Sequence, residues 1–187
     1  MTLLESLSTI EDPRRSQGKR ISLEHLLVIS ILSYCCGSTG YRGIGRFGKA
    51  YSEVLTKELG LSHPVPSYVT FFSVLSNLDE SQVVSAFNTW ADAFLEQTGS
   101  WMSADGKVLA STVEQAHSKG QNFQAVVSLF CHKSGLIHSI ETYKNKSKSN
   151  EISLVEHLIS EFKGKGVVFT MDALNTQKND EANRQVR

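Results

Sequence analysis

An α+β protein is predicted, an all-helical first half followed by a mixed sheet, on three observations. Up to about residue 98 the apolar residues recur at intervals of three and four. From residue 99 short β-rich runs replace them, and a helical stretch then separates the third run from a fourth that is apolar on consecutive residues. The domain boundary is accordingly drawn between 98 and 99, giving a helical domain, 1–98, and a sheet domain, 99–187.

The first helix is read in SLEHLLVISILSYCC, where Leu23, Leu26, Leu27, Ser30, Ile31 and Tyr34 share one side, Ser22 is placed to cap the start and Gly37 to end it. A second runs from Tyr41 to Leu59, with Ile44, Phe47, Tyr51 and Leu55 on one stripe and Gly60 as its stop. After SHPVP, a short amphipathic helix spans Ser67 to Leu78 with Val69, Phe71, Phe72 and Leu75. The last, Ser81 to about Gln97, is lined by Val84, Phe87, Trp90 and Phe94. The expectation is a bundle of about four helices. The pair joined through Gly60 and Pro64/Pro66 fits a helix-turn-helix-like unit presenting the helix from Ser67 to a DNA groove, and fits equally a bundle that touches no DNA.

In the second half, WMSADGK is a strand ending in a Gly-containing turn. NFQAVVSLF and GLIHSIETY form a hairpin joined by KSG at 133–135. A helix follows from Glu151 to Phe162, with Asn150 as its cap and Ile152, Val155, Leu158, Ile159 and Phe162 on one face. GKG at 164–166 breaks it. VVFTMDA then reads as a strand covered on both faces in a parallel arrangement, and a final helical stretch runs from about Thr176 to Val186. A three-strand meander with a fourth strand entering by a crossover matches the opening of a ribonuclease-H-like sheet, and also generic α+β arrangements.

Composition narrows the function. With 187 residues, 40% hydrophobic and 20% charged, the chain is long enough for a substantial core. Nineteen basic side chains balance nineteen acidic ones, which excludes a strongly cationic protein held on nucleic acid by bulk electrostatics and leaves room for a local basic face. Cys35, Cys36 and Cys131 make neither a disulfide framework nor a zinc pattern, so a cytoplasmic protein is expected. The longest apolar run, about Leu26 to Cys36, falls far short of the ~20 residues that span a bilayer, and the polar first twenty residues are unlike a signal peptide. No membrane partner is expected. His117, His132, His138 and His157 lack zinc-ligand spacing, and Cys131 and His132, adjacent on a strand, point to opposite faces. No nucleophile elbow, Walker A or dinucleotide glycine pattern occurs, so no small-molecule substrate or nucleotide cofactor is indicated.

Asp105 and Asp172 stand out. If the first and fourth strands lie side by side in parallel, both carboxylates emerge at one edge of the sheet, close enough to share hard divalent cations. Such a pair suits two-metal phosphoryl transfer. Each has an ordinary explanation as well: Asp105-Gly106 is a turn dipeptide, and Asp172 can simply open a loop. Glu151 begins the helix between the third and fourth strands, where it either adds a carboxylate to that edge or complements the helix dipole. Lys144, Lys146 and Lys148 fit a phosphate-tracking loop or plain solvation.

Taken together, IEDPRRSQGKRISLEHLLVISILSYCCGSTGYRGIGRF, PSYVTFFSVLSNLD, SADGKVL, KSNEI and TMDALNTQ resemble the H-repeat-associated branch of the DDE insertion-sequence transposases, in order and over essentially the whole chain. The resemblance implies a helical, DNA-binding-type domain before a ribonuclease-H-like catalytic domain, and metal-dependent cleavage and joining of DNA with Mg²⁺ or Mn²⁺. It matches Asp105 in DGK to the first catalytic aspartate, Asp172 in MDALNTQ to the second, and Glu151 in KSNEI to a recurrent glutamate. Lys107 of DGK joins the lysines as a DNA contact. The implied partners are insertion-element ends and a second copy of the chain, and the implied location is nucleoid-associated. Family members continue beyond residue 187 and carry their third acidic residue there, so a truncated transposase with an incomplete sheet is expected, inactive alone. Ala110 also stands where the family has a basic residue. The competing readings are a catalytically dead DNA-binding protein or regulator that occupies element ends, and a remnant with no stable fold.

Overall fold

The computed structural model describes residues 1–93, 101–109, 123–145, 149–160, 162 and 166–171. The chain folds as two units, Met1–Trp90 and Ala91–Arg187. The division falls inside a helix, a few residues before the expected boundary at 98/99, which lies outside the described residues.

The first unit contains α1 (Leu3–Leu7), α2 (Leu23–Cys35), α3 (Gly40–Ala50), α4 (Ser52–Glu58), α5 (Tyr68–Leu75) and most of α6 (Glu80–Asp92). That is more than the four expected. The sequence reading passed over α1, a single turn that exists through a reciprocal cap: Thr2 Oγ1 accepts the Glu5 N–H, and the Glu5 carboxylate accepts the Thr2 N–H. Buried Ser6 ties α1 to α6 by donating to the Ala86 carbonyl. In α6, Asp79 supplies the cap, its Oδ1 accepting from Ser81 N–H at 2.9 Å.

The expected helix from Tyr41 to Leu59 is two helices, broken at Tyr51, whose φ of −108° and ψ of 18° leave helical geometry. Ile44, Phe47 and Leu55 are buried as expected, whereas Tyr51 is exposed. In α2 the buried side is rotated from the predicted one: Leu23, Leu26, Leu27 and Ser30 are inside as expected, with Ile29 and Ser33, while Ile31 and Tyr34 face solvent. In α5, Phe71 and Val74 are buried and Val69 and Phe72 exposed. Both helices are apolar almost all round, so their periodicity names a helix without fixing which side is covered. Leu26, Ile29, Ile44 and Phe71, each fully buried, form the heart of this unit's core, and each contributes roughly 1.5–3 kcal/mol by leaving water.

A helix-turn-helix-like pair is one of the two forms the sequence leaves open for the helices flanking Gly60 and Pro64/Pro66. Residues 59–67 separate α4 from α5, far longer than the three or four residues of such a turn. Instead α5 packs on α3.

The second unit holds β1 (Trp101–Val108), β2 (Phe123–Cys131), β3 (Leu136–Asn145), α7 (Ser149–Ser160) and β4 (Val168–Thr170). The sheet order is β3-β2-β1-β4, with β1/β2 and β2/β3 antiparallel and β1/β4 parallel. The meander, the 132–135 turn with Gly135 at φ 70°, and the crossover are as expected. The fold is thus α+β, helices followed by a mixed sheet.

Two details differ. Asp105-Gly106 is no turn: β1 runs straight through it, pairing Asp105 with Ser128 and Gly106 with Val127. β4 is not covered on both sides among the described residues, because Val168 and Thr170 are exposed while Phe169 turns inward. The third difference is small: α7 begins at Ser149, before the Asn150 chosen as its cap. Val155 and Leu158 of α7, with Phe162 just beyond it, pack beneath Met102, Ala104, Val127, Leu129 and Cys131 to make this unit's core.

Candidate functional site

β1 alternates along its length, and the alternation sorts the candidate residues. Met102 and Ala104 turn toward α7 and are buried, whereas Trp101, Asp105 and Lys107 are exposed, with Ser103 half-covered between them. Asp105 and Lys107 are therefore on the open face of the sheet, two residues apart, about 6–7 Å along the strand. Asp105 lies three residues before the strand's end, with the Ser128 hydroxyl 3.5 Å from its backbone carbonyl.

Beside Asp105 on that face is a polar cluster the sequence reading missed. Ser103 Oγ lies 2.6 Å from His132 Nε2 and 2.7 Å from Thr170 Oγ1, and Thr170 Oγ1 is 3.4 Å from the Met102 carbonyl. The cluster ties the turn after β2 to β1 and β1 to β4, at the pair Ser103↔Thr170. Residue alternation along WMSADGK puts Ser103 on the Asp105 side, but neither His132 nor Thr170 is near it in sequence. Cys131 is buried and His132 exposed, as their alternation predicts.

The remaining expected residues fall in two groups. Glu151 is in the first turn of α7, the helix that covers the face opposite Asp105, and Lys144 pairs through its backbone with Gln124. Their side chains lie outside the described residues, as do Asp172, Lys146, Lys148, Ala110, His117, Phe94 and the helix expected from Thr176 to Val186. Among the described residues, no three His, Cys, Asp or Glu side chains gather as metal ligands.

In the first unit, the DPRR stretch makes a structural clamp. Arg14 grips the Asp12 carboxylate through Nε at 2.9 Å and a terminal nitrogen at 2.8 Å, and the same nitrogen donates to the Ile21 carbonyl at 2.8 Å. Burial pushes the Asp12 carboxyl up, but hydrogen bonds from the Arg14 side chain and N–H, with the charges of Arg14 and Lys19, outweigh it and hold the group below its ordinary value of 3.8. The same unit carries a second missed feature, a row of exposed basic residues on α3: Arg42, Arg46 and Lys49. Their spacing of four and three marks one helix face, a signal readable in YRGIGRFGK.

Comparison with known proteins is decisive for the first unit. Residues 4–91 match the family model described as DDE_Tnp_1-associated. The helical unit is a DDE_Tnp_1-associated domain. Similarity continues through the sheet. The chain is 26% identical over 178 residues to the "H repeat-associated putative transposase YhhI" of Escherichia coli K12, covering 95% of this chain and 46% of that protein. It is 27% identical over 179 residues to the "Putative transposase YncI" of Escherichia coli O157:H7, covering 95% and 45%. An "Uncharacterized protein in dhlA 3'region" of Xanthobacter autotrophicus is 29% identical over 178 residues, covering 90% and 57%. The chain, a DDE_Tnp_1-associated domain followed by a mixed sheet, thus spans about half the length of the first two relatives. Among the described residues no helix is long and apolar enough to cross a membrane.

Proposed function

We propose that this chain is part of a DDE-type transposase, with its second unit a ribonuclease-H-like sheet whose Asp105 and Asp172 act together in metal-dependent DNA cleavage and strand transfer. The observation that carries the reading is the register of β1 against β4. Trp101, Met102 and Ser103 pair with Val168, Phe169 and Thr170, a constant offset of 67 residues. Asp105 and Asp172 are separated in sequence by the same 67. If the pairing continued in this register beyond Thr170, the two aspartates would stand opposite each other, one rung beyond Ala104 and Met171. The side-chain bridge from Ser103 to Thr170 locks that register two rungs away. The strand order supports the reading, as does the similarity to proteins named as transposases.

The donor chemistry fits Mg²⁺ or Mn²⁺: Asp105 offers a hard, exposed oxygen ligand, with the Ser103 and Thr170 hydroxyls further along that face and a single imidazole, His132, engaged with Ser103. Asp105 and Asp172 would hold the ion, and the ion when bound supplies Lewis-acid stabilisation of a transferring phosphoryl group; Glu151, at the start of the helix on the other face, is a weaker candidate for a further carboxylate. Lys107, exposed on the same face as Asp105, neutralises a phosphate of the DNA strand, and Lys144, Lys146 and Lys148 extend that contact. A second copy of the chain is the natural partner where two element ends are joined.

Cleavage of duplex DNA carrying element ends, in Mg²⁺ or Mn²⁺, tests the reading. Asp105→Ala and Asp172→Ala are each expected to abolish it, and Asp105→Ala to leave the fold intact because Asp105 is exposed. Cleavage that survives Asp105→Ala rejects the assignment. DNA binding with no cleavage by the unaltered chain supports the second reading, a DNA-binding protein that occupies element ends without catalysis, which the basic row on α3 favours.

A further inference from the structure

The DDE_Tnp_1-associated unit contains a groove of about 550 Å³ between α3 and the segment leading into α5, lined by Arg42, Gly45, Arg46, Lys49, Val65 and Tyr68, with Ser52, Pro66 and Ser67 completing it. All three of its charged side chains are basic and exposed. None of the three forms an ion pair among the described residues; Arg42 instead sits with its guanidinium 6.0 Å from the centre of the Tyr68 ring. Three uncompensated cations on one face of an 11-residue helix are an uncommon concentration in a chain whose net charge is zero.

The groove is built by glycine. A Cβ on Gly45 would lie 2.7 Å from Tyr68 Cβ and 3.0 Å from its backbone nitrogen, and one on Gly48 would lie 2.6 Å from Val65 Cγ1. Glycine at these two positions, Gly45 above all because it faces backbone, lets α3 seat this closely on residues 65–68, and that seating sets the basic row along the start of α5. α5 itself, YVTFFSVL, carries no charge; of its exposed side chains Tyr68, Val69 and Phe72 are apolar or aromatic, and Ser73 is small and neutral. The charge that meets a polyanion is therefore on α3, not on the helix that sequence spacing put forward as the groove reader.

We propose that this α3 groove is a phosphate-backbone binding site for double-stranded DNA, with Arg42, Arg46 and Lys49 each neutralising one phosphate. Arg42 and Arg46 offer forked donors suited to phosphate oxygens, and Lys49 a point charge. Contacts of this kind hold and orient the duplex without reading its sequence. The proposal rests on the transposase reading only for the identity of the polyanion, and uses none of its catalytic residues.

The test is a salt titration of duplex binding by the full 187-residue chain, followed by fluorescence anisotropy of a labelled duplex. Loss of about three phosphate contacts lowers the slope of log K against log salt by roughly 2.7. Arg42→Ala/Arg46→Ala/Lys49→Ala is thus expected to bind at least about tenfold more weakly at about 100 mM salt, with that change in slope. Arg42→Lys/Arg46→Lys/Lys49→Arg, which keeps every charge, holds the slope. Lys57→Ala, an exposed neutralisation outside the groove, leaves the binding near that of the unaltered chain. Far-UV circular dichroism confirms that the triple variant is folded. Unaltered affinity and slope in the triple alanine variant overturn the groove assignment while leaving the transposase reading intact. Failure of the unaltered chain to bind duplex DNA down to about 50 mM salt overturns both.

Discussion

The Asp12–Arg14 clamp illustrates how one side chain closes a whole loop. Arg14 joins Asp12 to the carbonyl of Ile21, so the segment between them is held by a single guanidinium. Both side chains are largely covered, yet solvent still reaches them, which keeps the worth of the pair below that of a fully buried one. Arg14→Ala is expected to destabilise the helical unit by about 1–2 kcal/mol in chemical denaturation. Because the Asp12 carboxyl titrates lower in the folded chain than in the unfolded one, its contribution is complete above the ordinary value of 3.8 and is lost as pH falls through the folded value. Asp12→Asn therefore removes part of the stability difference between pH 7 and pH 3, and an unchanged difference would contradict this. DPRR lies within the stretch that carries the family resemblance, and nothing in the sequence points to this role, since the partner carbonyl is seven residues away and set by the loop's path.

At the scale of elements, the α3–α5 contact is the most informative. Gly45 and Gly48 are both too close to their neighbours for a Cβ, but the neighbours differ. Gly48 would meet the end of the Val65 side chain, which can give way, whereas Gly45 would meet the backbone nitrogen and Cα of Tyr68, which move only with α5. Gly45→Ala is expected to lower stability by about 1–3 kcal/mol and Gly48→Ala by less, measured as shifts in the denaturation midpoint. Equal effects would mean that α5 is free to shift. Sequence periodicity found α2, α3, α5, α6 and every strand, because each combines an apolar pattern with a stop or turn signal. It misread which sides of α2 and α5 are covered, because a helix apolar all round carries no phase. It treated α3 and α4 as one helix because the stripe Ile44, Phe47, Tyr51, Leu55 continues across the break. The Asp105-Gly106 turn failed for the opposite reason: a favourable turn dipeptide was overruled by pairing with β2, at Asp105↔Ser128 and Gly106↔Val127.

For the molecule as a whole, the two units present complementary features: a basic groove in the helical unit, and an exposed aspartate on a sheet edge pair in the other. Half of the candidate site was legible without coordinates. Asp105 could be found because DGK follows a strand pattern, and its separation from Asp172 acquires meaning only once the β1/β4 register is known. The Ser103–His132–Thr170 cluster was invisible because its members come from three separate strands and turns. The central claim, that Asp105 and Asp172 share a divalent cation, is tested most directly by Mn²⁺ binding to the full chain, read by electron paramagnetic resonance, for Asp105→Asn, Asp172→Asn and the double variant. The account predicts that each single substitution weakens binding by at least about tenfold, and that the double variant loses little more than either, as expected for ligands of one ion. Mn²⁺ affinity unchanged by Asp105→Asn, or losses that simply add, would contradict it.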